Sequence, residues 1–238
     1  MARASSLARR TCEVRSLVEE GTSGLGFSCL GGRCMRDVFL SASVPGPNDE
    51  PYCKSANPLL IHSAIRSLCT FAFGRKRIVW GGHPAITPMM WAACENLGVD
   101  YAKTVHLYQS RFFPVEMYPE ENSFFRNVTY IKAEGDLKAS LAKMREAMIA
   151  SHDFEAGVFV GGKDGVEVEF EIFRDTHPDA NVIILPSTGG AAKLLGERYP
   201  QLSGPAGDFV DFISYMAKFI AVEGPNTKPV ARNKEGPK

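Results

Sequence analysis

Two patterns of hydrophobic and polar positions take turns along the chain and predict alternating strands and helices. Short apolar runs typical of strands begin with Asp37 to Ala42, whose sequence is DVFLSA. The other predicted strands are Arg77 to Trp80, Thr104 to Tyr108, Val128 to Ile131, Ala156 to Val160 and Val182 to Leu185. Since the last two runs are continuously apolar, we expect them to be covered on both faces of a sheet.

Helix signals lie between these runs. Asn57-Pro58 and Thr87-Pro88 each place a capping side chain before a proline, which is favourable in the first helical turn. Gly74 and Gly98 are positioned to end those two helices. A later helical face is formed by Leu137, Leu141, Met144 and Met148. The alternation predicts an α/β fold, a three-layer Rossmann-like sandwich with a mostly parallel sheet and a single domain.

Composition changes at both ends of the chain. Residues 1–34 contain several arginines, and their glycines interrupt any period, so we expect a disordered arm or a non-native extension. A basic targeting peptide is the alternative for this segment. Residues 223–238 combine prolines with lysines and are expected to form a disordered tail. The folded domain is therefore predicted to span residues 35–222.

Overall charge and hydropathy exclude several classes of partner. The 238 residues include 27 basic and 27 acidic side chains, so no net field attracts nucleic acid or an anionic membrane. No apolar run is long enough for a transmembrane helix, which predicts a cytoplasmic protein without a membrane partner. The six cysteines form no C-x-x-C pair, so we expect reduced thiols, no metal ion and no cofactor.

Four predicted strands end in residues that suit ligand binding. In a parallel sheet, ligands bind outside the carboxyl ends of the strands, where glycine lets a phosphate or ribose approach the backbone. The candidate ligand-binding residues at these ends are Ser41, Ser43, Gly81, Gly82, His83, Gly161, Gly162, Asp164, Gly165, Ser187, Thr188, Gly189 and Gly190. Three double-glycine loops on one edge predict a ligand that carries phosphate or ribose, whereas any single loop could serve packing alone.

The order of these motifs resembles a known group of proteins. S-A-S, G-G-H-P, G-G-K-D-G-V-E-V-E and P-S-T-G-G-A-A are similar to the motifs of the SLOG superfamily over about Asp37 to Tyr199. This Rossmann-like superfamily contains the Lonely Guy cytokinin-activating hydrolases, DNA-processing protein A and the N-terminal domain of melastatin-type channels. The resemblance implies binding or sensing of a nucleotide-derived ligand, such as an ADP-ribose type molecule.

The same resemblance implies a catalytic pair. Arg145 lies 16 residues before Gly161, and Glu169 ends the segment G-V-E-V-E, so both fall on the positions of the Lonely Guy arginine and glutamate. Val160 and Val166 replace the proline and threonine of those enzymes, and one extra residue follows Gly162. A phosphoribohydrolase-like cleavage of a nucleotide N-glycosidic bond is therefore the alternative to sensing.

Each candidate side chain also has a simpler explanation. Glu169 could act only on the dipole of a helix N-terminus, and Arg145 could be a surface arginine with a buried stem. His83 precedes a proline and could serve the geometry of a turn. Arg111, after the third strand, could contact a ligand or belong to a packing lid.

The last helical pattern bears on assembly. We expect a helix from Phe209 to Ala221, capped by Asp208, with more apolar faces than packing on one side of a sheet requires. A wide apolar surface of this kind predicts a homo-oligomer. The alternative is that the helix is buried within the monomer, between the sheet and the segment Arg111 to Asn127.

Overall fold

A computed structural model describes residues 36–98 and 104–221, and in these ranges strands and helices alternate. The strands are β1 (Asp37–Ser43), β2 (Ile78–Gly81), β3 (Val105–Ser110), β4 (Val128–Ile131), β5 (Phe154–Gly161) and β6 (Asn181–Leu185). The helices are α1 (Pro58–Ala72), α2 (Thr87–Leu97), α3 (Leu137–Ala150), α4 (Asp164–Thr176), α5 (Gly190–Arg198) and α6 (Phe212–Met216). The predicted arm and tail lie outside the described residues, so the domain boundaries stay predictions.

The strands form one six-stranded sheet in the order β4-β3-β2-β1-β5-β6. Every neighbouring pair is parallel, so the predicted α/β class is confirmed and the described sheet is entirely, not mostly, parallel. The chain progresses from β1 toward β4 in one direction and from β5 to β6 in the other. The strand order therefore reverses between β1 and β5, and a crevice at this point is where open α/β sheets bind ligands.

A hydrophobic layer covers each face of the sheet. On one face α1, α2 and α6 pack against the sheet through a core that includes Leu68 and Trp80. On the other face α3, α4 and α5 enclose an aromatic core, in which Phe39 stacks on Phe173 with ring centroids 5.3 Å apart. Gly157 leaves room for this stack, because a Cβ there would lie 2.8 Å from the Phe173 ring. The two cores produce the predicted three layers.

Helix ends follow the sequence signals at most positions. The Asn57 side chain accepts hydrogen bonds from the amides of Leu59 and Leu60, which confirms the predicted cap of α1. The predicted cap of α2 is wrong: Thr87 is the first helical residue. Its hydroxyl instead donates to the His83 carbonyl at 3.2 Å, which anchors the start of α2 to the preceding turn.

The predicted last helix is also wrong in its length and cap. The described helix α6 is five residues long, and its amide at Ser214 bonds to Asp211 rather than to Asp208. Phe212 and Met216 are buried against α1, whereas Ile213 is 41% exposed. Much of the apolar surface is thus covered within the monomer, though by α1, and a homo-oligomer stays a prediction. No helix in residues 36–98 or 104–221 combines the length and apolar character needed to cross a bilayer.

A buried polar network joins the amino ends of several strands. Asp37, at the start of β1, accepts hydrogen bonds from Arg77 at 2.6 Å and from Nδ1 of His152 at 2.8 Å. The other ring nitrogen of His152 lies 3.1 Å from the Tyr108 hydroxyl. His106 stacks on Tyr108 with ring centroids 4.7 Å apart. The network therefore links β1, β3 and the segments that lead into β2 and β5.

We expect His106 to make the fold acid-sensitive. Burial, with nearby His152 and Arg77, lowers the pKa of His106 to about 3, whereas an unfolded histidine has a pKa of about 6.5. As the pH falls from 6.5 toward 3, His106 becomes protonated in the unfolded chain but stays neutral in the folded chain. The stabilisation is therefore fully present above pH 6.5 and is lost progressively as the pH falls toward 3. At pH 5 the loss is about 2 kcal/mol.

The variant His106→Gln keeps a hydrogen-bonding group for Thr129 but has no titration. The free energy of unfolding is measured with denaturant at pH 7 and at pH 5. The decrease between these two pH values should be about 2 kcal/mol smaller for the variant than for the wild type. His62→Gln, at an exposed position, is the control and should leave the pH dependence unchanged. An equal decrease in the free energy of unfolding from pH 7 to pH 5 for His106→Gln and the wild type would contradict the prediction.

Candidate functional site

A cleft of about 760 Å³ opens at the carboxyl edge of the sheet, beside the point where the strand order reverses. Its walls come from the ends of β1, β2 and β3, the first turn of α4 and one side of α3. The volume lies within the range of about 300 to 1,000 Å³ that is usual for small-molecule sites. The predicted site residues that line it are Ser43, Gly81, Gly82, His83, Arg145, Asp164, Gly165 and Glu169.

The predicted pair Arg145 and Glu169 meets in this cleft. Arg145 Nε donates to Glu169 Oε1 at 3.2 Å, although the two residues lie on α3 and α4 and are 24 positions apart in the chain. The other carboxylate oxygen accepts the Ser41 hydroxyl at 2.6 Å. Ser41 is buried in β1 and holds the glutamate from below the cleft. The pair is therefore built before any ligand arrives.

Burial raises the pKa of Glu169, and the Arg145 charge and the Ser41 hydrogen bond only partly oppose this rise. The side chain is 14% exposed, so the cleft reaches it. Gly165 leaves room for the Arg145 guanidinium, because a Cβ at that position would lie 2.7 Å from Arg145 Nη2. Glu169 is thus a largely buried, paired carboxylate, and a catalytic role for it stays a prediction.

The loop after β5 is built by close backbone contact. Gly162 N–H donates to the Ser43 carbonyl at 2.8 Å, and Gly161 N–H donates to the Thr188 hydroxyl at 2.8 Å. Both glycines have positive φ, of 56° and 83°. A Cβ at Gly161 would lie 2.4 Å from the Ile61 side chain. These two glycines lie behind the cleft wall and direct the chain into α4.

The segment Ser187 to Gly190 is buried and does not line the cleft. A Cβ at Gly189 would lie 1.8 Å from the Ser55 carbonyl oxygen, and one at Gly190 would lie 2.4 Å from the Gly162 carbonyl oxygen. Both glycines thus lie against protein backbone, and the Gly190 amide donates to the Ser55 hydroxyl at 3.1 Å. The segment therefore supports the β5 loop from behind, and a ligand contact by it stays a prediction.

His83 projects a neutral imidazole at the cleft. Its Nδ1 accepts the Ala85 amide at 3.2 Å, which places the proton of the neutral ring on Nε2. Burial, followed by the nearby Lys163 charge, lowers the pKa of His83. At neutral pH the ring is thus an uncharged donor. The adjacent Gly82 is required for packing, because a Cβ there would lie 2.6 Å from Leu107 Cδ1.

Arg111 lies outside the cleft wall. Its side chain is exposed and its guanidinium carbon lies 5.6 Å from the centroid of the Tyr130 ring. Its contact with a ligand stays a prediction. Phe113, two residues further, is the member of this segment that lines the cleft.

Sequence reasoning missed three charged residues that line the cleft, Asp136, Lys138 and Lys163, and one apolar wall. Lys163, inside the glycine loop, lines the cleft and bonds to Asp49 at 3.0 Å. Its position between a double glycine and the start of a helix could have predicted that Lys163 lies at the cleft. The apolar wall consists of Phe113, Leu137, Leu141 and Met144. The helical period of α3 predicts a buried face, but not that part of this face borders an open cleft.

Comparison with known proteins identifies one family. A profile of the SLOG cluster3 family matches residues 51–220. No curated protein sequence matches the chain. A structural-genomics X-ray structure titled TM1055 superposes with a TM-score of 0.48 and 13% sequence identity, over 77% of this chain and 99% of that one.

Gly189→Ala tests whether this glycine is needed for packing. The new Cβ would collide with the Ser55 backbone, which has no freedom to rotate away, and the backbone of Gly189 has φ of 74° and ψ of −160°, a region open essentially to glycine alone. We expect a loss of more than about 3 kcal/mol in the free energy of unfolding, or no folded protein. Gly74→Ala, at φ of 77° with no atom near the new Cβ, should lose only about 1 to 2 kcal/mol. Equal losses would refute the packing role.

Arg145→Met tests the electrostatics of Glu169. Removing the guanidinium leaves burial unopposed by a positive charge, so the pKa of Glu169 should rise further. The pKa can be followed by the ¹³C shift of the Glu169 carboxyl group during a pH titration. Lys143→Met, on the same helix but paired with the exposed Glu134, is the control and should leave that pKa in place. A Glu169 pKa that falls or stays constant in Arg145→Met would contradict the pairing.

Proposed function

Because the chain belongs to the SLOG cluster3 family, we propose that its cleft binds a nucleotide or a nucleotide-derived ligand of the ADP-ribose type and that the protein acts as a sensor of it. The observation that carries this proposal is the division of the cleft into an apolar wall and a polar wall. A nucleotide has the same two parts, since its base is flat and largely apolar on its faces while its ribose and phosphates are polar.

The apolar wall suits a base. Phe113 offers an aromatic ring, and Leu137, Leu141 and Met144 of α3 complete this side of the cleft. Leu137 is 43% exposed. Burial of apolar surface contributes about 25 cal/mol per Å², and an aromatic ring adds stacking energy. A base between Phe113 and α3 would cover side chains that otherwise face water.

The polar wall suits an anionic group. Helix α4 begins at the cleft, and its cap residue Lys163 makes no side-chain hydrogen bond to the first turn. The amides of Asp164 and Gly165 are therefore available to a phosphate, which the helix dipole also favours. Lys163 adds a positive charge, and Nε2 of His83 adds a neutral donor.

Hydrolysis of an N-glycosidic bond is the second candidate, favoured by the preformed pair of Arg145 and Glu169. The raised pKa of Glu169 suits a residue that takes a proton from water as the water attacks the anomeric carbon. The bond between that carbon and the base nitrogen would break with its electron pair going to the nitrogen, which takes up the proton that Glu169 removed from water, giving free base and a ribose phosphate. Arg145 would orient Glu169 and hold the phosphate or the leaving base.

Thermal denaturation with added nucleotides tests binding. A ligand at 100 times its dissociation constant adds about 2.7 kcal/mol to stability. We expect ADP-ribose or a nucleoside monophosphate at millimolar concentration to raise the melting temperature, because the cleft exists only in the folded state. If none of a panel of nucleotides, dinucleotides and cyclic ADP-ribose analogues does so, the proposal is wrong.

The variant Glu169→Gln separates sensing from hydrolysis. It keeps the size and polarity of the side chain but cannot accept a proton. A sensor retains ligand stabilisation and releases no base, whereas a hydrolase releases base from nucleoside monophosphates and loses this activity in the variant. Glu171→Gln is the matched control, because Glu171 lies on the same helix and is 48% exposed. Base release that survives in Glu169→Gln would exclude the assigned mechanism.

A further inference from the structure

Three side chains meet at the mouth of the cleft. Lys163 Nζ donates to Asp49 Oδ1 at 3.0 Å, and these two side chains are 40% and 30% exposed. The charges of both act on the neighbouring His83. The other carboxylate oxygen of Asp49 accepts the Gly46 amide at 2.7 Å. A carboxylate from the loop between β1 and α1 is thus held on a cation that belongs to the cleft wall.

We infer that Asp49 is an internal competitor of the ligand: its carboxylate occupies, on Lys163, the place that an anionic group of the ligand takes, so binding requires the Asp49–Lys163 pair to open. This inference rests on the proposed nucleotide function, which it extends by assigning a residue that sets affinity and selects for charge. Asp49 is 114 positions from Lys163 in the chain and is not part of the cleft wall.

The charges around the cleft explain why this pair matters. Arg145 is already neutralised by Glu169 at 3.2 Å. Lys163 and Lys138 both line the cleft, and Lys163 is paired with a carboxylate from outside the cleft wall. A carboxylate carries one negative charge, whereas the phosphate bridge of ADP-ribose carries two and inorganic pyrophosphate carries more, so either anion can replace Asp49 on Lys163. An uncharged nucleoside has no group that competes with Asp49.

Opening the pair does not require the loop to unfold. The Tyr52 hydroxyl donates to Glu167 at 2.7 Å, and the Ser55 hydroxyl accepts the Gly190 amide at 3.1 Å. These contacts fix the later part of the loop on α4 and α5. An ion pair that water can reach contributes little to stability, because solvent screens its charges. A rotation of the Asp49 side chain is therefore sufficient to open the pair, and it costs little free energy.

The test compares Asp49→Asn with Glu50→Gln by isothermal titration with ADP-ribose, inorganic pyrophosphate and adenosine. Glu50 is the matched control, because it is the next residue in the loop and its exposed carboxylate pairs with Lys54 instead. We expect Asp49→Asn to bind ADP-ribose and pyrophosphate about two- to fivefold more tightly than the wild type. Adenosine affinity should not change, and Glu50→Gln should match the wild type throughout.

Lys163→Gln completes the test as a double-mutant cycle. It should weaken binding of both anions, and Asp49→Asn should produce a smaller gain in its background than in the wild type, because the cation for which Asp49 competes is gone. Equal gains in the two backgrounds would overturn the inference.

The outcomes separate the two proposals. If ADP-ribose binds the wild type and Asp49→Asn equally well, the inference is wrong and the nucleotide function stands. If no nucleotide binds any variant, the proposed function is wrong, and the pyrophosphate titrations alone decide the role of Asp49. If pyrophosphate binds no variant either, the inference is overturned as well.

Discussion

The close approach of backbone segments at the ends of β1, β5 and β6 is the constraint on which the rest of the site depends. The Gly161-Gly162 turn is held by the Ser43 carbonyl, the Thr188 hydroxyl and the Ala191 amide, all at 2.8 Å. Both glycines have positive φ, and a Cβ would lie 2.4 Å from the Ile61 side chain at Gly161 and 2.2 Å from the Val166 side chain at Gly162, so glycine is required. Because the turn is rigid, α4 begins at a defined point, and Lys163 and Glu169 reach the same cleft as the end of β2.

Two cations of the cleft have carboxylate partners within the protein. Arg145 has Glu169 and Lys163 has Asp49, so an anion that binds either of these cations exchanges partners with a carboxylate. Such a cleft would bind anions moderately and select among them by charge and shape. This behaviour suits a sensor, which must release its ligand when the concentration falls. It also keeps the cleft from strongly attracting unrelated polyanions.

Sequence patterns predicted the succession of strands and helices along the chain well, because apolar runs and the Asn57-Pro58 cap are local signals. The cleft was predicted where glycines follow strands, and Arg145 and Glu169 were identified through a resemblance that the short contact between them supports. The sequence could not show which glycines would contact a ligand and which would pack against backbone, since both roles require glycine. Asp49 was missed because its partner is 114 positions away, and no local pattern records such a pair.

The parallel sheet places two polar systems at opposite ends of the same strand. β1 begins at Asp37, in the buried histidine network, and ends at Ser43, at the cleft. Seven residues of extended chain separate the two ends by about 20 Å. At that distance two unit charges interact by about 0.2 to 0.8 kcal/mol before salt screening. The charges of the histidine network therefore have little effect on the cleft. Substitutions in the network can change stability at low pH with almost no effect on which ligand the cleft binds.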